Sequence, residues 1–569
     1  MDFQRIFVLL GLAVTAYLLI LAWNDDYGSG KKPDSDVFTS EKTASTREKN
    51  SSNFTDDLPA AIENTAPVQG DFVPSIESAS LNQTPSSNAS TSSSGRLVSI
   101  KSDVLHLTVD TLGGDIVKVS LPAFPTTIDT PDSPFTLIDP GNRYAAQSGL
   151  IGKNGTDTSS GRPQFEVASF DYRLKTGESE IQVELKLNQA DVTITKRFTL
   201  KRSDYLIDVD YIVQNNSADT WQGALFAQIK RDREVPVISD ENAMGLQPYT
   251  GGATFLPGTP YNKLEFDDIE EESYKQKVDG GYIAMVQHYF VSAWVPKGDE
   301  LNTYQARYLR QQDVFLFGFT GPVWLVNSGE ESSKGAQFYA GPKDQYRLEE
   351  ISPGLNLTVD YGFLWWLAQP LFFLLDAIHG FVGNWGMAII GLTLLVKTLL
   401  FPLSAAGFKS MAKMRKLQPE MAKLKERFGD DKQKFSQAMM ELYKKEGANP
   451  LGGCFPILLQ MPVFLALYWT LMESVELRQA PFILWINDLS IMDPYFVLPI
   501  LMGGSMFLTQ MMQPEPPDPM QAKVMKLMPI MFTFFFLWFP SGLVLYWLVN
   551  NLLSAAQQFY VNKKIEAQP

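Results

Sequence analysis

Hydrophobic and polar positions divide this chain into three kinds of stretch. Apolar runs of roughly the 20 residues a bilayer-crossing helix needs stand at 6–23 and crowd the region beyond 363. Between them lie a polar stretch, 24–95, and a long region of short alternating runs, 96–360. Runs such as DIVKVSL, IQVELKL, VTITKRFTLK and YLIDVDYIV alternate apolar and polar residues and are rich in β-branched and aromatic side chains. Gly, Pro and Asn turns break them, which predicts antiparallel strands folded into a sandwich. Residues 24–95 are Ser, Thr, Asn, Asp and Pro rich. Such a stretch buries too little apolar surface to offset chain entropy and reads as a flexible tether.

The central apolar run is WGMAIIGLTLLVKTLLFPL, residues 385–403. It carries one charge, Lys397, with Thr393 one turn before it. An ammonium within a membrane helix costs roughly 2.5 to 3.5 kcal/mol on insertion scales, so it turns to a protein interior or a wet cavity. Four further runs follow, at 451–472, 495–512, 524–539 and 543–561. With 6–23, read as an uncleaved signal anchor, they predict six crossings. The run 363–381 is interrupted by Gln369, Pro370, Asp376 and His379. If it crossed, the basic segment after Leu403 would lie outside, against the positive-inside rule. It is therefore read as an interfacial helix with its Trp pair at headgroup level.

Residues 404–450 hold 11 Lys/Arg against 6 Asp/Glu. Apolar residues recur at Met411, Met414, Leu417, Met421, Leu424 and Phe428, then at Phe435, Met439 and Leu442. This spacing predicts two amphipathic helices in a hairpin, with Pro419 kinking the first. Its basic side chains, Lys409, Lys413, Arg415, Lys416, Lys423, Lys425 and Arg427, together with the Met-rich stripe, suggest a docking surface; a charged loop that only sets topology is the plainer alternative. Parity puts this hairpin, the loop 513–522 and Lys563–Lys564 in the cytoplasm. The loop 473–494, with one Arg and four acids, falls outside.

Charge follows the same division. Residues 361–569 have 17 basic and 14 acidic residues, and 1–360 have 31 and 49. The acidic first part speaks against nucleic-acid binding. One cysteine, Cys454, rules out a disulfide framework within the chain. The histidines, His106, His288 and His379, are far apart, and no catalytic constellation stands out. Polar groups in the apolar runs gather at Thr393 and Lys397, at Gln460, and at Asn550, Asn551, Ser554 and Gln557. Lys397 reads either as a lysine snorkelling to headgroups or as a lone charge in a wet groove. Methionines at 502, 506, 511, 512, 520, 525, 528 and 531 form either lipid contacts or a surface that adapts to varied apolar partners.

Three stretches carry a family resemblance: MAKMRKLQPEMAKLKERFGDDKQKFSQAMMELYKKEGANP, NPLGGCFPILLQMPVFLALYWTLMESVELRQAPFILWINDLS and FFFLWFPSGLVLYWLVNNL. They are similar to the YidC/Oxa/Alb family of membrane protein insertases. The resemblance implies a multi-pass α-helical membrane protein with six transmembrane helices, five of them an insertase core, and a periplasmic all-β supersandwich like sugar-mutarotase folds. It implies a hydrophilic groove open to cytoplasm and lipid, with Lys397 at its basic position and Thr393 and Gln460 among its polar ones. Asn550, Trp547 and Tyr546 complete the expected groove; Trp547 stands where some relatives have Tyr. Nascent membrane proteins are the implied clients, and the Sec translocon, ribosome, targeting factors and lipid bilayer the partners. No catalytic residue, cofactor, metal or specific nucleic acid is expected. The domains expected are an anchor at 1–23, a linker at 24–95, a periplasmic sandwich at 96–360, an interfacial helix at 361–382, a core at 383–562 and a cytoplasmic tail at 563–569. A solute channel using Lys397 and a membrane-tethered periplasmic sugar-binding enzyme are the rival readings.

Overall fold

The computed structural model describes residues 95–158, 161–234, 248–428, 431–447, 455–513 and 519–566. The signal anchor, all but the last residue of the linker, and Cys454 lie outside the described residues.

Alternation has its physical outcome in two facing sheets between Leu97 and Pro342, one of eleven strands and one of nine. Trp221–Arg231 runs inside the first, between Ala145–Ile151 and Val314–Thr320, and Glu331–Pro342 runs inside the second, between Phe290–Pro296 and Leu206–Asn215. Among the described strand pairs, only Leu97–Lys101 with Asp171–Arg173 is parallel. Register fixes which side chains enter the core. Ile207, Val209, Tyr211 and Val213 sit opposite Leu200, Phe198, Lys196 and Ile194, and all eight are buried. Lys196 is the exception in type. Its Nζ donates to the carbonyls of Gly113 and Ser148, each at 3.1 Å. Desolvation lowers its pKa to about 7, because burial disfavours the charged form. Trp294 ties the sheets together by donating from Nε1 to the Gln228 carbonyl at 3.1 Å.

Helices α1 (Phe266–Glu271) and α2 (Gln345–Ile351) decorate this domain. The remainder is helical: α3 (Trp365–Val382), α4 (Trp385–Leu399), α5 (Phe401–Lys416), α6 (Gln418–Phe428), α7 (Lys432–Lys445), α8 (Phe455–Glu473), α9 (Val497–Met511), α10 (Pro519–Phe535) and α11 (Ser541–Glu566). Gly383 closes α3 at φ 65°, a left-handed position that favours glycine. Asn384 then caps α4 by accepting from the Met387 amide at 3.0 Å.

The central run is shorter as a helix than as a pattern. It ends at Leu399, and the chain turns by 68° into α5. Pro402 lacks an N–H and is disfavoured in a helix interior, yet fits the first turn of a new helix, where it sits. Pro419 acts in the same way: the expected kink is a break at Leu417, and α6 starts afresh. Among the described residues, Gly362–Val382 is the one unbroken helix long and apolar enough to cross a membrane, and α4 with α5 qualifies only as a bent pair. Helix length therefore carries only part of the six-crossing expectation.

Candidate functional site

Lys397 stands in the last turn of α4, with 4% of its surface exposed. Its Nζ donates to Gln460 Oε1 of α8 at 3.1 Å and to Ser554 Oγ of α11 at 2.6 Å. Gln460 Nε2 donates to Asn550 Oδ1 at 2.6 Å, and Ser554 Oγ donates to the Asn550 carbonyl at 2.7 Å. Gln557 Nε2 reaches the Lys397 carbonyl at 3.3 Å, while its Oε1 is buried with no partner among the described residues. Among the described residues, α8 and α11 thus meet the α4 ammonium with neutral oxygens alone. An ammonium has three N–H groups, and two find these partners.

Asn550, Ser554 and Gln557 recur at i, i+4 and i+7, one stripe of α11. Asn551, one residue on, points elsewhere and donates to Ser505 Oγ at 3.2 Å. Thr393 is 1% exposed and donates to the carbonyl of Ile389 in its own helix at 2.6 Å. It shares the cluster's helix but does not join its hydrogen bonds. Ser554 is the partner the sequence reading left out of the site. The i+4 step from Asn550 is the signal that points to it.

One turn nearer the β domain, the polar layer gives way to an aromatic one. Phe464 of α8 meets Trp547 edge-on at 4.2 Å and stacks against Tyr546 at 6.3 Å. Trp547 also meets Phe536 at 5.1 Å. Tyr546 is 2% exposed and Trp547 half-buried, so both residues belong to this layer.

The hairpin α6–α7 distributes its two kinds of side chain sharply. Leu417, Met421, Met439 and Tyr443 are buried against one another, with Met414, Phe435 and Leu442 alongside. Met411 packs with Phe408 and Val561 of α11. Most of the Met-rich stripe is therefore packed inside the hairpin or against α11, which corrects the expectation that these side chains help form an open docking face. The physical reason is length: two short amphipathic helices meet within one hairpin and cover each other. Lys409, Lys413, Arg415, Lys416, Lys423, Lys425 and Arg427 are all exposed.

The β domain seats directly on the end of α8 and the segment after it. Lys343 and Glu473, 1% and 2% exposed, form a buried ion pair. Val475 enters the β-domain core. Arg478 Nη2 and Gln479 Nε2 donate to the Pro125 carbonyl at 2.7 and 3.0 Å. His288 Nε2 pairs with the Met472 carbonyl at 2.8 Å. Desolvation, with Lys343 and Arg478 nearby, pushes its pKa down to about 3. Burial, reinforced by Asp344 and Asp376, raises Glu476 to about 7. None of this docking was read from the sequence.

Residues 377–568 match the family described as 60Kd inner membrane protein, and residues 97–374 that described as YidC periplasmic domain. The membrane protein insertase YidC of Pseudomonas putida strain W619 is 50% identical over 570 residues, spanning 100% of this chain and 99% of that protein. Its counterpart in Stutzerimonas stutzeri strain A1501 is 49% identical over 569 residues, again 100% and 99%. A crystal structure of an active YidC insertase aligns with 82% of this chain and 92% of its own at 19% identity and TM-score 0.39. A galactose mutarotase related enzyme from Lactobacillus acidophilus aligns with 43% of this chain and 97% of its own, at 12% identity and TM-score 0.29.

Proposed function

The chain belongs to the YidC family of membrane protein insertases, and from that premise we propose that the Lys397 cluster is the hydrophilic station through which polar client segments pass. The chain is an insertase of the inner membrane with a periplasmic β domain, and the family is not one of enzymes. Its clients are membrane proteins. The observation that supports the cluster's role is the unneutralised ammonium among neutral amides and hydroxyls. A charge held this way attracts an acidic segment without a resident carboxylate competing for it. One ammonium hydrogen and Gln557 Oε1 remain for water or client. The aromatic layer supports a closed periplasmic side, so water enters from the cytoplasm.

The arrangement we favour has six crossings, both termini in the cytoplasm and a five-helix core. Helix α3 lies in the periplasmic interface. Tyr346 of α2 donates to Asp376 at 3.2 Å and rests on Phe373 at 5.7 Å, which holds α3 along the β domain. Trp365 and Trp366 are 57% and 58% exposed, as headgroup-level anchors would be. The exposed basic side chains of the hairpin are the docking points for ribosome or targeting factors, and the Sec translocon is a further partner.

Insertion of a client with an acidic translocated tail, scored in proteoliposomes, tests the electrostatic role. Lys397→Arg should retain insertion, since charge matters more here than the guanidinium fork. Lys397→Ala should lower it severalfold, and Lys397→Glu further. Normal insertion by the Glu variant sinks the proposal.

A further inference from the structure

A second polar site stands where α5 meets the end of α11. A cavity of about 180 Å³ is lined by Ala412, Arg415, Lys416, Asn562 and Ile565. That is below the roughly 300 Å³ of ordinary small-molecule pockets, so it suits a headgroup-sized ligand and not a nucleotide. Arg415 and Lys416 are exposed at its rim, and Lys563 and Lys564 are exposed beside it. Two helix C-termini converge here, each with about half a negative charge, and Lys416 Nζ already answers one by donating to the Ile565 carbonyl at 3.3 Å. Even with Glu566 counted, the four cations outweigh this negative charge, and an anion is the ligand the balance favours.

Depth selects which anion. Phe559 and Tyr560, one turn back along α11, are 63% and 60% exposed. Exposed aromatics followed by lysines mark the passage from acyl chains to headgroups. We infer that this cavity binds the phosphodiester of an anionic phospholipid, with Arg415 and Lys416 on the phosphate and Asn562 at the cavity wall. Basic pockets at the cytoplasmic ends of membrane helices bind such headgroups. The site is separate from the Lys397 cluster: it fixes the base of the hairpin to the inner leaflet, and it would stand if the role proposed for Lys397 failed.

The test is binding of spin-labelled phosphatidylglycerol to the full chain in uncharged detergent, against spin-labelled phosphatidylcholine. Arg415→Gln with Lys416→Gln should weaken phosphatidylglycerol binding about tenfold. Lys423→Gln with Arg427→Gln, which removes the same charge from α6, should change it less than twofold. Asn562→Leu, which fills the cavity without altering charge, should weaken it as the first pair does. Equal loss in both charge pairs, or full binding by Asn562→Leu, overturns the inference. Glycerol phosphate at millimolar concentration should not displace the lipid; if it does so as readily as unlabelled phosphatidylglycerol, the site is one for free phosphate and the lipid assignment fails. A circular-dichroism melt of each variant separates lost binding from lost fold.

Discussion

Lys397 shows how a buried charge is housed at the expense of stability. Two neutral oxygens satisfy part of an ammonium, and its desolvation is left without an opposing charge. Replacing a whole buried ion pair by apolar residues of similar volume is often neutral or stabilising by about 1–4 kcal/mol, and an ammonium without a counter-charge has no Coulombic attraction to lose. Lys397→Met should therefore raise the melting temperature of the purified protein while lowering insertion. A fall in both would mean that the ammonium is a structural tie. Ser554→Ala removes the shorter of its two contacts. Hydrogen bonds to charged groups contribute about 1.5–3 kcal/mol, so this variant should melt earlier and Ser554→Thr much less so. The polar positions themselves were legible, because each is costly in an apolar run. Their pairing was not: Lys397 and Ser554 are 157 residues apart, and no local pattern encodes such a contact. The i, i+4, i+7 stripe on α11 came nearest to doing so.

At the scale of elements, α9 and α10 come close at a single glycine. A Cβ on Gly503 would lie 1.8 Å from Thr533 Oγ1 and 3.0 Å from Thr533 Cβ, whereas one on Gly504 would meet nothing within 4 Å. Gly503→Ala should push these helices apart at a cost of about 1–3 kcal/mol. Gly504→Ala should be neutral or slightly stabilising, since it lowers the entropy of the unfolded chain. Thermal melting of the two variants distinguishes the sites, and equal effects would exclude tight packing there. The helices of the hairpin were legible from three- and four-residue spacing, as were Leu417, Met421, Phe435, Met439 and Leu442 of its apolar cluster, while Tyr443 was not. What its apolar stripe packs against was not, because periodicity names a face and leaves its partner open. Helix ends were misjudged where proline intervened. At Pro402 hydropathy continues through residues whose backbone hydrogen bonding does not.

The whole molecule is joined by the contact between the β domain and residues 472–479. Removing one partner of a buried ion pair is costly, about 3–5 kcal/mol, so Glu473→Ala should loosen the domain strongly. Glu473→Ala with Lys343→Met should recover much of the loss. Hydrogen exchange of residues 472–480 reads this directly, and no recovery in the double variant would mean that the pair is not what holds the joint. The same joint should respond to pH in two directions. His288 is held neutral, so its contribution is full above about 6.5 and weakens as pH falls from there toward about 3. Glu476 has a raised pKa, so its contribution is full below about 4.5 and is lost as pH rises to about 7. His288→Gln should flatten the acid limb and Glu476→Gln the neutral one, after correction for intrinsic exchange. From sequence alone Glu473 counted only as one acid in an outward loop. Alternation and composition separate a β domain from a helical one, but they carry no information about which surfaces of the two meet.

The Lys343–Glu473 pair also has a meaning in time. Its members are 130 residues apart, and a ribosome adds roughly 5–20 residues per second. For on the order of ten seconds after Lys343 is made, its counter-charge does not exist. During that interval the newly exported β domain holds a lysine destined for burial with nothing to bury it against. The joint therefore closes only after α8 has been delivered.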